Sequence, residues 1–189
     1  MKKIIMGMTG ASGAPYAKRM IEVLKGQCDL HLVYSKTAPL VFSEEVHEEL
    51  GAFLREQSHV KVHKLGDFLS PLASGSNTFD AYLMLPCSMK TLGQVAHGTG
   101  ETLLTRIADI ALKERRRLVM VTREAPYSEV HLQNMLFITR MGGIIFPASP
   151  GFYHCPKTIE DVVDFVVARV LQLIGLEQSL VKPWKAQEE

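Results

Sequence analysis

The stretch "GMTGASGAPY", Gly7–Tyr16, decides how this chain folds. Gly7, Gly10 and Gly13 stand three residues apart, just after the apolar run Ile4–Met6 and just before a segment of helical spacing. A glycine-rich turn that leaves a strand and opens a helix can cradle a phosphate on backbone N–H groups at the helix N-terminus. Several occupants fit that geometry: NAD(P), a flavin or a free phosphorylated substrate. Ser12, flanked by small residues, is a further candidate for chemistry of its own.

Working outward, apolar segments of strand length alternate with segments of helical period. Strands are predicted at Lys3–Met8, Leu30–Ser35, Ala81–Leu85 (broken by Pro86), "RLVMVT" ending at Thr122, and "GIIFPA" ending at Ala148, with a short edge strand at Val60–Lys64. Helices are predicted at Ala14–Lys25 (Tyr16, Ala17, Met20, Ile21 and Leu24 at helical spacing, Gly26 as stop) and at Pro39–Leu50. Others start at Ser88 or cover Glu101–Arg116, Ser128–Met141 and Thr158–Leu173, the last capped by Thr158. Such alternation implies an α/β domain with a central parallel sheet covered on both faces. One domain over residues 1–175 is expected. A polar arm, 176–189, carries only Leu176, Leu180, Val181 and Trp184 as large apolar residues and is expected to dock on a neighbouring subunit.

Bulk properties narrow the class. The chain has 189 residues, 47% hydrophobic and 22% charged, with a formal net charge of +1, so no nucleic-acid partner is implied. No apolar stretch reaches membrane-spanning length. Cys28, Cys87 and Cys155 are odd in number and far apart, which points to a reducing cytoplasm and not to a disulfide framework.

In open parallel sheets, ligands bind beyond the carboxyl ends of the strands. That rule gathers "TGASG", Ser35-Lys36, "PCSMKT", "TREAPYS" and "PASPGFYH" at one edge. An NAD site wants an acid about 20 residues beyond its glycines; here Ser35 and Lys36 stand there, and the Tyr153/Lys157 pair that a short-chain dehydrogenase would use encloses Pro156, which disfavours a helix. His59 and His63 fall on a strand and read as surface residues. "EDVVD", Glu160–Asp164, reads as a solvated helix start favoured by the macrodipole and not as a magnesium site. Arg169 borders the apolar face of the last helix; it either snorkels or serves an anion. Arg106, Asp109 and Lys113 share a helical face that is either ion-paired or functional. In "REAP", Arg123 can hold a phosphate bidentately and Glu124 can manage a proton, or the two form a structural ion pair. Ser12 lacks a nucleophile elbow, which favours hydrogen bonding or proton relay over acylation.

Taken in order, "MTGASGA", "SK", "SGS" (Ser74–Ser76), "PCSMKTL", "RIADIALKERR", "REAPYSEVHLQNML" and "PGFYHCP…VVARVL" resemble the flavin prenyltransferases, the UbiX family, from about Lys3 to Trp184. Members were long described as 3-octaprenyl-4-hydroxybenzoate or phenylacrylic acid decarboxylases. The resemblance implies a Rossmann-like three-layer sandwich of flavoprotein type, assembled as a dodecamer with sites at subunit junctions. It implies FMN held by Gly10, Ala11, Ser12, Ser35, Ser88, Met89, Lys90, Thr91 and Arg123, with reduced FMN accepting a dimethylallyl group at N5 and C6 from dimethylallyl monophosphate. Arg106, Lys113, Arg123, Tyr153 and Arg169 match donor-phosphate ligands. Ser12 and Glu124 match residues that move protons. No metal is implied. The product, prenylated FMN, would serve a UbiD-type decarboxylase of ubiquinone or aromatic-acid metabolism. Trp184 would shield an allylic cation or anchor an interface. The usual "ERRP" reads "ERRR" here, which adds Arg117. An FMN-dependent decarboxylase of the phosphopantothenoylcysteine type is the alternative; those relatives use a histidine after the second strand, where Ser35-Lys36 stands. A non-catalytic flavin carrier would not require Lys113, Glu124 and Arg169 together.

Overall fold

The structure is a computed structural model that describes residues 1–184. Six strands form one sheet: β1 (Lys2–Met8), β2 (Cys28–Tyr34), β3 (Val60–His63), β4 (Ala81–Cys87), β5 (Arg117–Thr122) and β6 (Ile144–Pro147). Their order is β3-β2-β1-β4-β5-β6, and every pairing is parallel. The chain builds outward from β1 to β3, then returns to the centre and builds the other way from β4. That reversal makes the β1/β4 junction the switch point, where the loops leaving the two strands diverge and open a crevice.

Alternation along the strands assigns the two cores. Ile4, Met6, Met8, Leu30, Leu32, Leu83, Leu85, Val119 and Val121 face the layer of α1 (Ala14–Val23), α2 (Ala38–Val46), α3 (Leu50–Glu56) and α7 (Ile159–Leu173). Ile5, Val33, Tyr82, Met84, Leu118 and Met120 face α4 (Met89–His97), α5 (Leu103–Lys113) and α6 (Glu129–Arg140). β4 is buried along its whole length, as a central parallel strand must be.

Local chemistry sets the helix starts. Ser88, Thr102, Ser128 and Thr158 each accept a backbone N–H of the first turn through the side chain, and the last three close reciprocal capping boxes. Two expectations are corrected. The segment Pro39–Leu50 is not one helix: His47 takes a left-handed conformation (φ 58°) that ends α2, and α3 starts afresh at Leu50. Pro86 does not end its strand either; the Leu85–Pro86 peptide is cis, the register with β5 shifts between Met84 and Cys87, and β4 continues to Cys87. Along the arm, Leu176, Leu180 and Val181 pack on this chain's own core, while residues 185–189 of the expected docking arm lie outside the described residues.

Candidate functional site

The loops at the carboxyl edge are tied to one another before any ligand is considered. Thr9, just after β1, is 1% exposed. Its hydroxyl donates to the Pro86 carbonyl at 2.8 Å and accepts the Ser88 N–H at 2.8 Å. This one side chain fixes the "TGASG" loop to the "PCSMKT" loop. Ser88 caps α4 by accepting the Thr91 N–H at 3.3 Å, and the two hydroxyls lie 3.1 Å apart. Met89 and Thr91 are buried and Lys90 is exposed. The start of α4 thus presents two hydroxyls and first-turn N–H groups that have no partner within the helix.

The start of α1 is different. Gly13 adopts φ 126°, a conformation for glycine, and the N–H groups of Gly13 and Ala14 both donate to Glu45 Oε2 on α2 at 2.8 Å. A carboxylate already satisfies this helix N-terminus and its dipole. The N–H groups that the glycine motif would offer a phosphate on α1 are thus engaged by Glu45, whereas the start of α4 has no carboxylate on it among the described residues. What the glycines supply is proximity: a Cβ on Gly10 would stand 2.2 Å from Thr37 Oγ1, so the loop lies directly on the turn after β2. Ser35 Oγ and Thr37 Oγ1 are 3.1 Å apart in that turn. Ala11 is buried and Ser12 is half-buried.

After β5, Arg123 is exposed and Glu124 half-buried. Among the described residues neither belongs to an ion pair; Glu124 Oε1 accepts the Ala125 N–H at 3.1 Å. The structural-pair alternative for "REAP" is thereby set aside. Thr122, one residue earlier and 1% exposed, has a buried hydroxyl without a hydrogen-bond partner.

The remaining cations lie on the flanks. On α5, Arg106 pairs with Asp109 at 2.6 Å and donates to the Ala73 carbonyl at 3.3 Å; Lys113 pairs with Glu114 at 2.6 Å. Lys113 stands four residues before β5 begins, toward the amino edge of the sheet and away from the crevice of its own chain. On α7, Arg169 is exposed and donates to Gln172 Oε1 at 2.8 Å. Tyr153, half-exposed in the loop after β6, packs edge-on against Phe165, one helical turn before Arg169, and against Trp184 of the arm with ring centres 4.9 Å apart. Tyr153, Trp184 and His154 line a cavity of about 450 Å³ between the arm and α7.

The carboxylates of "EDVVD" have structural work, as the sequence implied for a helix start. Asp161 accepts the Lys157 and Thr158 N–H groups, which hold its carboxyl below the usual carboxylate range, and Asp164 takes Arg19 of α1 in a two-point pair at 2.6 and 3.1 Å. The histidines differ from expectation: His59 bonds the Ile21 carbonyl through Nε2 at 2.9 Å, and His63 is half-buried against His31. Glu45 and Thr9 were not legible as site residues. Each acts on a loop remote in sequence, and only the fold brings donor and acceptor together.

These features fit FMN. A phosphate needs hydroxyls, N–H groups and a cation without a competing carboxylate; Ser88, Thr91, the start of α4 and Arg123, in no ion pair among the described residues, meet that need beyond neighbouring strands. Gly10 packs on Thr37 and so joins the first loop to the turn after β2, and the buried Thr122 hydroxyl, without a partner among the described residues, borders the same edge.

Comparison with known proteins agrees with this geometry. The Flavoprotein family profile matches residues 1–171. The flavin prenyltransferase UbiX of Methanocaldococcus jannaschii is 45% identical over 182 residues, spanning 96% of this chain and 98% of that protein. The crystal structure of AnUbiX (PadA1) in complex with FMN and dimethylallyl pyrophosphate superposes with a TM-score of 0.93 at 40% identity, covering 99% of both chains. A dodecameric FMN-dependent UbiX-like decarboxylase from Escherichia coli O157:H7 superposes with a TM-score of 0.92 at 39% identity, covering 97% of this chain and 100% of the other. With this likeness along its whole length, the chain belongs to the Flavoprotein family and, within it, to the UbiX flavin prenyltransferases.

Proposed function

We propose that this protein binds FMN at the carboxyl edge of its sheet and transfers a dimethylallyl group from dimethylallyl monophosphate to the reduced flavin. The observation that carries the reading is the convergence of Ser12, Ser88, Arg123 and Glu124 on loops after three adjacent strands, β1, β4 and β5, with Arg123 in no ion pair among the described residues. In this reading the FMN phosphate rests on Ser88, Met89, Lys90 and Thr91. Gly10, Ala11 and Ser12 line the flavin, and Ser35 and Arg123 hold its polar edges. Reduced FMN, when bound, supplies the two nucleophilic ring positions, N5 and C6.

The chain's own residues supply charge and proton transfer. Loss of phosphate from an allylic donor builds negative charge on the leaving group. Arg123, Arg106, Lys113 and Arg169, with the Tyr153 hydroxyl, stabilise it through preorganised electrostatics. Glu124 accepts the proton released when the second bond closes a ring, and the Ser12 hydroxyl relays a proton beside N5. Because Lys113 points away from its own crevice, it completes the crevice of a neighbouring copy. Self-association is supported by α6, whose Val130, Leu132, Leu136 and Phe137 are exposed by 62%, 53%, 48% and 48%. A dodecamer, as in the E. coli neighbour, meets this requirement.

No helix among the described residues is long and apolar enough to cross a membrane, in keeping with a cytoplasmic role in delivering prenylated FMN to a UbiD-type decarboxylase. A phosphopantothenoylcysteine-type decarboxylase is not favoured, since Ser35 and Lys36 follow β2 where that chemistry places a histidine. The test is anaerobic incubation of the protein with reduced FMN and dimethylallyl monophosphate, with the diphosphate in parallel, followed by mass spectrometry of the flavin. A dimethylallyl mass gain supports the reading. Unchanged flavin with FMN still bound would overturn it.

A further inference from the structure

We infer that Asp29, His31, His63 and Ser70 form an acid-sensitive latch that holds the segment 64–77 against the sheet. His31 on β2 and His63 at the end of β3 project from the same face, His63 standing two residues beyond Lys61, the partner of His31. Their rings meet edge to edge in nearly one plane, with centres 5.0 Å apart and planes inclined by 21°, and His31 Nδ1 lies 2.8 Å from His63 Nε2. The chain continues at both ends. His31 Nε2 is 3.2 Å from Asp29 Oδ2, and His63 Nδ1 is 3.3 Å from Ser70 Oγ. Ser70 is 6% exposed, and its Oγ accepts the Leu72 N–H to start a 3-10 turn at Pro71–Ala73.

Counting protons shows why the latch responds to acid. An ionised carboxylate only accepts, so His31 Nε2 carries a hydrogen. Neutral His31 then offers a lone pair at Nδ1, which accepts the His63 Nε2–H. Neutral His63 in turn accepts the Ser70 hydroxyl at Nδ1. A first proton enters at His63 Nδ1, Ser70 becomes the acceptor and every link survives. A second proton can enter only at His31 Nδ1, where it sets two N–H groups head-on across 2.8 Å. The closed latch therefore excludes the doubly charged pair.

The surroundings push the same way. Burial is the largest influence holding His63 below the ordinary histidine value; His31 and Lys61 add to it and Asp67 opposes it. Asp29 and Lys61 face the pair from the strands and bind each other at 2.7 Å. Asp67 faces it from the loop, and the inner face of α5 is uncharged. A histidine held neutral in the fold contributes stability that is whole above about pH 6.5 and is lost as pH falls through its folded value.

Release would reach the α5 flank. The 3-10 turn ends at Ala73, whose carbonyl receives Arg106, and Gly75 and Asn77 receive Arg116. That consequence rests on the donor-phosphate role proposed for Arg106; the latch does not.

Hydrogen exchange on the full-length protein, corrected for intrinsic rates and read by mass spectrometry, tests it. Between about pH 7.5 and 5, protection of 64–77 should fall about tenfold relative to the Gly7–Gly13 loop. His63→Phe, which keeps an aromatic ring but takes no proton, should flatten that dependence. Parallel loss in wild type and His63→Phe would overturn the proposal. Should His63→Phe not fold, histidine nitrogen NMR of the wild type decides: two separated titration steps with His31 as the Nε2–H tautomer support the latch, and one joint step near pH 6.5 overturns it. Neither readout depends on prenyl transfer, so failure of the assigned activity is distinguishable from failure of the latch.

Discussion

The Glu45 carboxylate on α2 caps α1 by accepting the Gly13 N–H at 2.8 Å, and the same oxygen takes the N–H of Ala14. This contact spans 32 residues and fixes the loop that carries Ser12. Charge-assisted bonds to a helix N-terminus contribute about 1–2 kcal/mol. Glu45→Ala should lower unfolding free energy by about that amount in urea, with Glu45→Gln losing less because an amide oxygen still accepts both N–H groups, without the charge. Equal stability of Glu45→Ala and wild type would show that solvent replaces the cap.

Gly10 leaves no space for a side chain. Gly10→Ala would place a methyl 2.2 Å from Thr37 Oγ1 and 2.7 Å from Thr37 Cβ. We expect a loss of about 1–3 kcal/mol, together with weaker FMN binding measured by flavin fluorescence quenching. Thr37→Gly in the same protein should recover most of both. Absence of recovery would place the strain elsewhere in the loop.

Glu124 is engaged only by the adjacent Ala125 N–H and makes no ion pair among the described residues. Glu124→Gln should therefore keep FMN affinity within about threefold while slowing prenyl transfer by about a hundredfold or more, the range for loss of a general base. A collapse of flavin affinity in the variant would make Glu124 a binding residue instead.

The thiols divide by environment. Burial pushes Cys28 up to about 11 and Cys87 up to about 12, whereas Cys155 is exposed. Since the thiolate is the nucleophile, a disulfide reagent at pH 8 should titrate Cys155 quickly and the other two only after denaturation. Rapid reaction of all three in the native protein would contradict the packing around β2 and β4.

Much of this protein was written locally. "IIMGM", "LHLVY" and "AYLML" read as strands, and Ser88, Ser128 and Thr158 marked helix starts, because apolar period and side-chain capping act within a few residues. The same local information placed "TGASG", "PCSMKT" and "REAP" at one sheet edge. It misread Pro39–Leu50, where the left-handed turn at His47 interrupts an otherwise helical pattern, and it treated His63 as a surface residue.

Tertiary structure decided what each helix start meets. The glycine motif alone pointed to the N-terminus of α1 as a phosphate cradle, but there the Glu45 carboxylate takes the N–H groups of Gly13 and Ala14, whereas α4 is capped by the neutral Ser88 hydroxyl. It also left Arg123 without an ion pair among the described residues, turned Lys113 away from its own crevice and brought His31 to His63. Each outcome depends on strand order and register, which join residues tens of positions apart. Sequence period determines which face of an element is apolar; only packing determines what that face, or the end of that element, meets.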